Sequence, residues 1–112
     1  MLLEVNATVY YNVVMPFDGD VSCTVDWGDG TVEEYYENYP SHKYADAGTY
    51  YVSVSGKVTD LKTDQAKMDI YARRAIIKIF RWGDLGFTSM KDAFRDCDKL
   101  TSLPEITGTG LA

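Results

Sequence analysis

The chain has 112 residues, enough for one ordinary domain or a small sandwich with an appendage. Its apolar content of 46% supports a packed core, and nine tyrosines, four phenylalanines and two tryptophans favour strands over helices. A net charge of −6 with scattered lysines and arginines offers no basic stripe for phosphate backbones, which argues against nucleic-acid binding, and no apolar run approaches the roughly 20 residues of a membrane-spanning helix.

Met1-Leu2-Leu3 leads directly into Glu4, without a basic segment or a small-residue cleavage site, so no signal peptide is expected. Leu3, Val5, Ala7, Val9 and Tyr11 alternate with polar residues, which predicts one long strand from Leu3 to Val14, ended by Pro16. Phe17-Asp18-Gly19-Asp20 reads as a turn. Its acidic pair invites a calcium site, but the stretch does not continue with the further oxygen ligands such a loop needs, and a solvated Asp-Gly turn is the better reading.

Val21, Cys23, Val25 and Trp27 then alternate along a second strand, which meets Gly28-Asp29-Gly30. These residues tolerate positive φ, so the chain is expected to reverse there and return through Thr31–Tyr36. Asp26 and Asp29 flank Trp27, a placement that invites a reading as metal ligands or as the paired carboxylates of a glycosidase. Asx-type hydrogen bonding inside the corner explains them without a pocket. His42, the only histidine, lacks the companions of a zinc site or a nucleophilic triad, and a structural use follows. Tyr44, Tyr50 and Tyr51 divide between core and outer face. In Glu33-Glu34-Tyr35-Tyr36-Glu37-Asn38-Tyr39-Pro40, acids are interleaved with Tyr35, Tyr36 and Tyr39, which reads either as the acidic outer face of a strand or as a contact surface.

Tyr50, Val52 and Val54 mark a further half-buried strand, carried on through Gly56–Leu61, and Thr59–Asp69 is too polar for a confident strand. Ala75–Trp82 is β-branched and strand-like, followed by a Gly83-Asp84 turn. Met90, Ala93, Phe94 and Cys97 fall at i, i+3, i+4 and i+7, one face of a short helix capped by Ser89 and Asp92. Leu100, Leu103 and Ile106 follow at threefold spacing. Cys23 and Cys97 both lie on apolar faces and read as small buried hydrophobes rather than as a disulfide. Nowhere does the chain show a nucleophile–base pair, a metal cluster or a glycine-rich phosphate loop, so no catalytic residue, cofactor or metal is expected.

Two resemblances organise these readings. The order V-D-W-G-D-G-T, H-x-Y and A-G-T-Y-x-V-x-V-x-G, covering roughly Leu3 to Gly56, resembles the polycystic-kidney-disease type (PKD) repeat. That family implies an immunoglobulin-like β-sandwich that binds, spaces or assembles, with Asp26, Trp27, Gly28, Asp29 and Gly30 building a corner and His42, Tyr44, Gly48 and Tyr50 its partner segment. The His42 ring is implied to pack or hydrogen-bond near the turn. The order I-x-x-W-G-D-x-x-x-T-S-M-x-x-A-F-x-x-C-x-x-L-T-S-L-P, covering roughly Ile76 to Glu105, is similar to the first repeat of BspA-like leucine-rich surface proteins, with Trp82, Phe94 and Cys97 as its structural positions.

Together they imply a mainly β chain: a PKD-like sandwich over residues 1–60, a linker or edge segment over 61–74, and a strand-helix leucine-rich cap over 75–112. A lone repeat needs a neighbour to bury its face, so it is expected to fold back on the sandwich, dock on another chain or continue in further repeats. The function implied is non-catalytic display of a leucine-rich element for contact with protein or glycan surfaces, outside the cell or on its surface. The alternative is a structural subunit, such as a virion decoration or fibre protein, whose partners are sister subunits.

Overall fold

The computed structural model describes residues 1–63, 68, 70–83, 85–87 and 100. The expected helix through Met90, Ala93, Phe94 and Cys97, and the positions Leu103 and Ile106, lie outside the described residues. In chain order the elements are β1 (Leu2–Ala7), β2 (Val13–Val14), β3 (Phe17–Asp26), β4 (Val32–Tyr35), β5 (Ser41–His42), β6 (Gly48–Leu61), α1 (Ile70–Ala75) and β7 (Ile76–Arg81). The chain is mainly β, with every pairing antiparallel. Five strands form one sheet in the order β4-β3-β6-β1-β7, and β2 and β5 form a second, two-stranded sheet.

Alternation decides which face of the large sheet is covered. Leu3 lies opposite Val52 and Ile79, Val25 opposite Val54, and Val21 opposite Val58, and all seven are buried. The intervening residues Glu34, Thr24, Ser55 and Tyr51 form an exposed or partly exposed outer face. Fully burying a Val, Leu or Ile side chain is worth about 1.5–3 kcal/mol, against about 0.2–1 kcal/mol for a cross-strand pair, so the inner face sets the register. Val13, Met15, Tyr44, Met68, Ala72 and Leu85 complete the same core cluster, and Leu100 packs against it. Met1 extends the β1–β6 ladder, its carbonyl accepting from Val54 N–H at 2.8 Å and its nitrogen donating to Val54 O at 2.9 Å.

The first predicted strand is cut in two. Ala7 pairs with Gly48, the first residue of β6, so the partner strand runs out at that point. Without it the chain leaves the sheet through the exposed segment 8–12 and crosses to pair Val13 with His42 and Val14 with Ser41. Alternation alone could not register that loss, because Val9 (39% exposed) and Tyr11 (41%) keep the period without the burial.

Phe17–Asp20, expected as a turn, is the start of β3. Phe17 pairs with Leu61 and Asp18 with Asp60, and a bulge between Asp18 and Val21 absorbs the irregularity. Asp18 is not merely solvated: its Oδ1 accepts from Gly19 N–H (2.8 Å) and Asn38 Nδ2 (2.7 Å), and its Oδ2 from the Tyr39 hydroxyl (3.2 Å). Together with Tyr39 N–H donating to Phe17 O at 2.9 Å, these bonds tie the loop after β4 back to β3.

The stretch 61–74 departs from a simple linker. Leu61 is a buried β6 residue, Thr63 and Met68 are buried, and α1 turns Ala72 and Ala75 into the core. Six residues of helix are too short for sequence periodicity to reveal. The strand expected to open the carboxyl-terminal repeat, β7, is hydrogen-bonded to β1 in the same sheet as β3 and β6.

Candidate binding site and the Asp-Gly corner

The corner is built from the strand that precedes it. Trp27, fully buried, ends the inner-face row of β3, and its N–H donates to Thr31 O at 3.0 Å, closing a three-residue loop of Gly28, Asp29 and Gly30. Two Asx turns shape it: Asp26 Oδ1 accepts from Gly28 N–H and Asp29 Oδ1 from Thr31 N–H, both at 3.0 Å. Gly28 and Gly30 have φ of 82° and 94°. The loop is therefore not the two-residue Asp-Gly hairpin that the dipeptide by itself suggests.

His42 reaches the corner from β5. Its Nε2 lies 2.7 Å from Asp29 Oδ2, and because a carboxylate only accepts, Nε2 carries the proton. The imidazole stacks on Trp27 at 5.0 Å, and Tyr44 sits edge-on to both rings. Tyr44 donates its hydroxyl to Trp27 O at 2.6 Å and stacks on Tyr50 at 4.1 Å, and Tyr50 donates to Asp46 O at 2.9 Å. On the other side Trp27 Nε1–H donates to the Tyr35 hydroxyl at 3.0 Å, which donates to Glu33. Burial pushes the Tyr44 and Tyr35 phenols up, and burial likewise raises the Cys23 thiol, a free and buried cysteine on the inner face.

These bonds engage Asp26 Oδ1 and both oxygens of Asp29 with backbone and with His42, so the pair fastens the corner. Burial by itself would raise Asp29's carboxyl, but the hydrogen bonds from His42 and Thr31 outweigh it and hold the group below the usual aspartate range. A folded value below the unfolded one means that stability from this group is fully present above about pH 4 and drains away as pH falls through the folded value. Urea midpoints measured from neutral pH down to pH 3 should therefore fall less steeply in Asp29→Asn than in the parent chain. Equal acid slopes in the two proteins would remove Asp29 from the account.

Tyr35, Tyr36 and Tyr39, read as a candidate contact surface, are divided by the structure. Tyr35 and Tyr39 are only partly exposed and pack against the core, whereas Tyr36 is 70% exposed and donates to Glu34 at 2.9 Å. Trp82 is buried beside the end of β7. Among the described residues no group of three or more His, Cys, Asp or Glu could hold a metal ion, and no helix is long and apolar enough to cross a membrane.

A concave site lies elsewhere. A cleft of about 360 Å³ opens where the loop after β1 meets α1 and the start of β7. Tyr11 from the loop and Tyr71 from the helix stack with centroids 3.9 Å apart and planes 6° from parallel, and both line the cleft together with Asn6, Thr8, Asn12 and Arg74. Sequence reasoning missed this site: it places Tyr11 on the inner face of an unbroken strand and Tyr71 in a linker or edge segment. The available signal in the sequence was the adjacent pair Tyr10-Tyr11 followed by Asn12. No protein-family model, curated protein or solved structure matches the chain.

Proposed function

We propose that this chain is a non-catalytic binding module, a PKD-like sandwich of immunoglobulin type followed by the first repeat of a BspA-like leucine-rich protein. It acts outside the cell or at its surface through contact with protein or glycan surfaces. The observation that supports this reading best is the use made of the corner. Asp26 Oδ1, both Asp29 oxygens, His42 Nε2 and the Tyr44 hydroxyl bond backbone or one another around a buried Trp27, which suits a scaffold better than a reacting centre. Pairing of β7 with β1 agrees with a carboxyl-terminal segment folded back on the sandwich.

A structural subunit, such as a virion decoration or fibre protein, is the second reading, and a specific feature favours it. Among the described residues the large sheet ends at β4 and at β7, and β4 carries Val32 at 57% exposure. Edge strands of this kind can pair with a sister chain. Light scattering behind a sizing column, at micromolar concentration, separates the two. The binding-module reading expects a monomer; a discrete oligomer replaces it with the assembly reading.

A further inference from the structure

We infer that the cleft between the 8–12 loop and α1 is a subsite for a single neutral pyranose unit of a glycan, an assignment that rests on the binding-module reading above. The inference starts from the chemistry of the lining. Tyr11 and Tyr71 lie face to face while remaining 41% and 47% exposed, so their inner faces cover each other and the ring area left to a ligand is an outer face and the ring edges. Aromatic faces carry partial negative charge and attract the polarised C–H patch on one face of a sugar ring. Two tyrosines also provide area with few side-chain torsions to immobilise.

The rim supplies the complement. Asn6 and Asn12 each offer a carbonyl acceptor and an amide donor, and Thr8 and the Tyr71 phenol add hydroxyls that both give and accept. Vicinal hydroxyls of a sugar need this mixture, whereas a carboxylate or phosphate needs several donors and cations. Arg74 is the one cation among the residues lining the cleft, and the chain's net charge of −6 opposes a multiply anionic ligand. A volume of about 360 Å³ stands at the small end of the roughly 300–1,000 Å³ range of ligand sites, which suits one sugar ring better than a peptide. The β1 end, the loop and α1 all contribute, so the site exists only in the folded chain.

The test uses the full chain, labelled with ¹⁵N, titrated with cellotriose, maltotriose, triacetylchitotriose and galactobiose, with AMP as the anionic comparator. At least one oligosaccharide should shift amides within 6–13 and 71–77, with Kd on the order of 1 mM, as expected for a ligand of about a dozen contacting atoms. Tyr71→Ala and Asn12→Ala should each weaken that binding at least about tenfold, a loss of about 1.4 kcal/mol. Ser55→Ala, exposed on the outer face of β6 and not among the residues lining the cleft, should leave it unchanged. Tyr71 and Asn12 are surface residues, and a preserved spectrum elsewhere checks that the variants fold.

No shift with any of the four sugars overturns the pyranose assignment, as does AMP binding in their place. The outcomes also separate this inference from the reading it rests on. Silent sugars with a monomeric chain remove the subsite alone. A discrete oligomer that Tyr71→Ala dissociates makes the cleft an interface between copies and overturns the subsite. Cleavage of a bound sugar would overturn the non-catalytic reading while leaving the sugar site in place.

Discussion

Trp27→Ala should lower the unfolding free energy by about 3–5 kcal/mol, the range for truncating a large buried aromatic. The side chain is fully buried, and three rings depend on it: His42 stacked at 5.0 Å, Tyr35 edge-on at 6.1 Å and Tyr44 edge-on at 6.4 Å. Its Nε1–H is also the partner of the Tyr35 hydroxyl. Small domains hold only about 5–15 kcal/mol in total, so a loss of this size leaves much of the variant unfolded in mild urea. Trp27→Phe keeps most of the ring contact and loses the indole donor, and Tyr35 still bonds Glu33, so its loss should be less than half as large. Urea midpoints followed by near-ultraviolet circular dichroism measure both. A Trp27→Ala protein within about 1 kcal/mol of the parent would mean that the corner is peripheral to the core.

Gly28→Ala should cost well over 2 kcal/mol, while Gly30→Ala, two residues on, should cost only about 1 kcal/mol. Both glycines have positive φ, so the backbone penalty is common to the pair. Space separates them. A methyl group on Gly28 runs into the carbonyl oxygen of Tyr51 on β6, a backbone atom fixed inside the sheet, whereas one on Gly30 meets nothing within 4 Å. The first substitution must therefore push the corner off β6 or distort the ladder between them. Thermal unfolding of the two variants side by side gives the comparison directly. Equal losses would show that φ strain alone governs the loop and that the Tyr51 approach is not tight.

The corner's residues were legible because their roles are local. Asp26 and Asp29 hydrogen-bond two residues ahead, and the glycines meet a backbone requirement within the same loop. His42 is partly legible: the resemblance placed its ring near the turn, and the bond to Asp29 spans a sequence separation of 13. Tyr11 and Tyr71 illustrate the opposite case. Nothing local links them, and only the crossing from β1 to β2 and the seating of α1 bring the rings together.

By itself, then, the sequence determined the mainly β character, the inner rows from Leu3 to Ala7 and from Val21 to Trp27, the reversal at Gly28–Gly30 and the strand after Ala75. Those features follow from a period of two and from turn chemistry, which act over a few residues. The tertiary structure alone decided where the first strand stops, that Phe17–Asp20 extends β3 through a bulge, that β7 joins the edge of β1, and that a cleft opens beside Tyr71. Each of these depends on whether a distant strand is present to accept a hydrogen bond or cover a side chain, and an alternating pattern reads the same with that partner or without it.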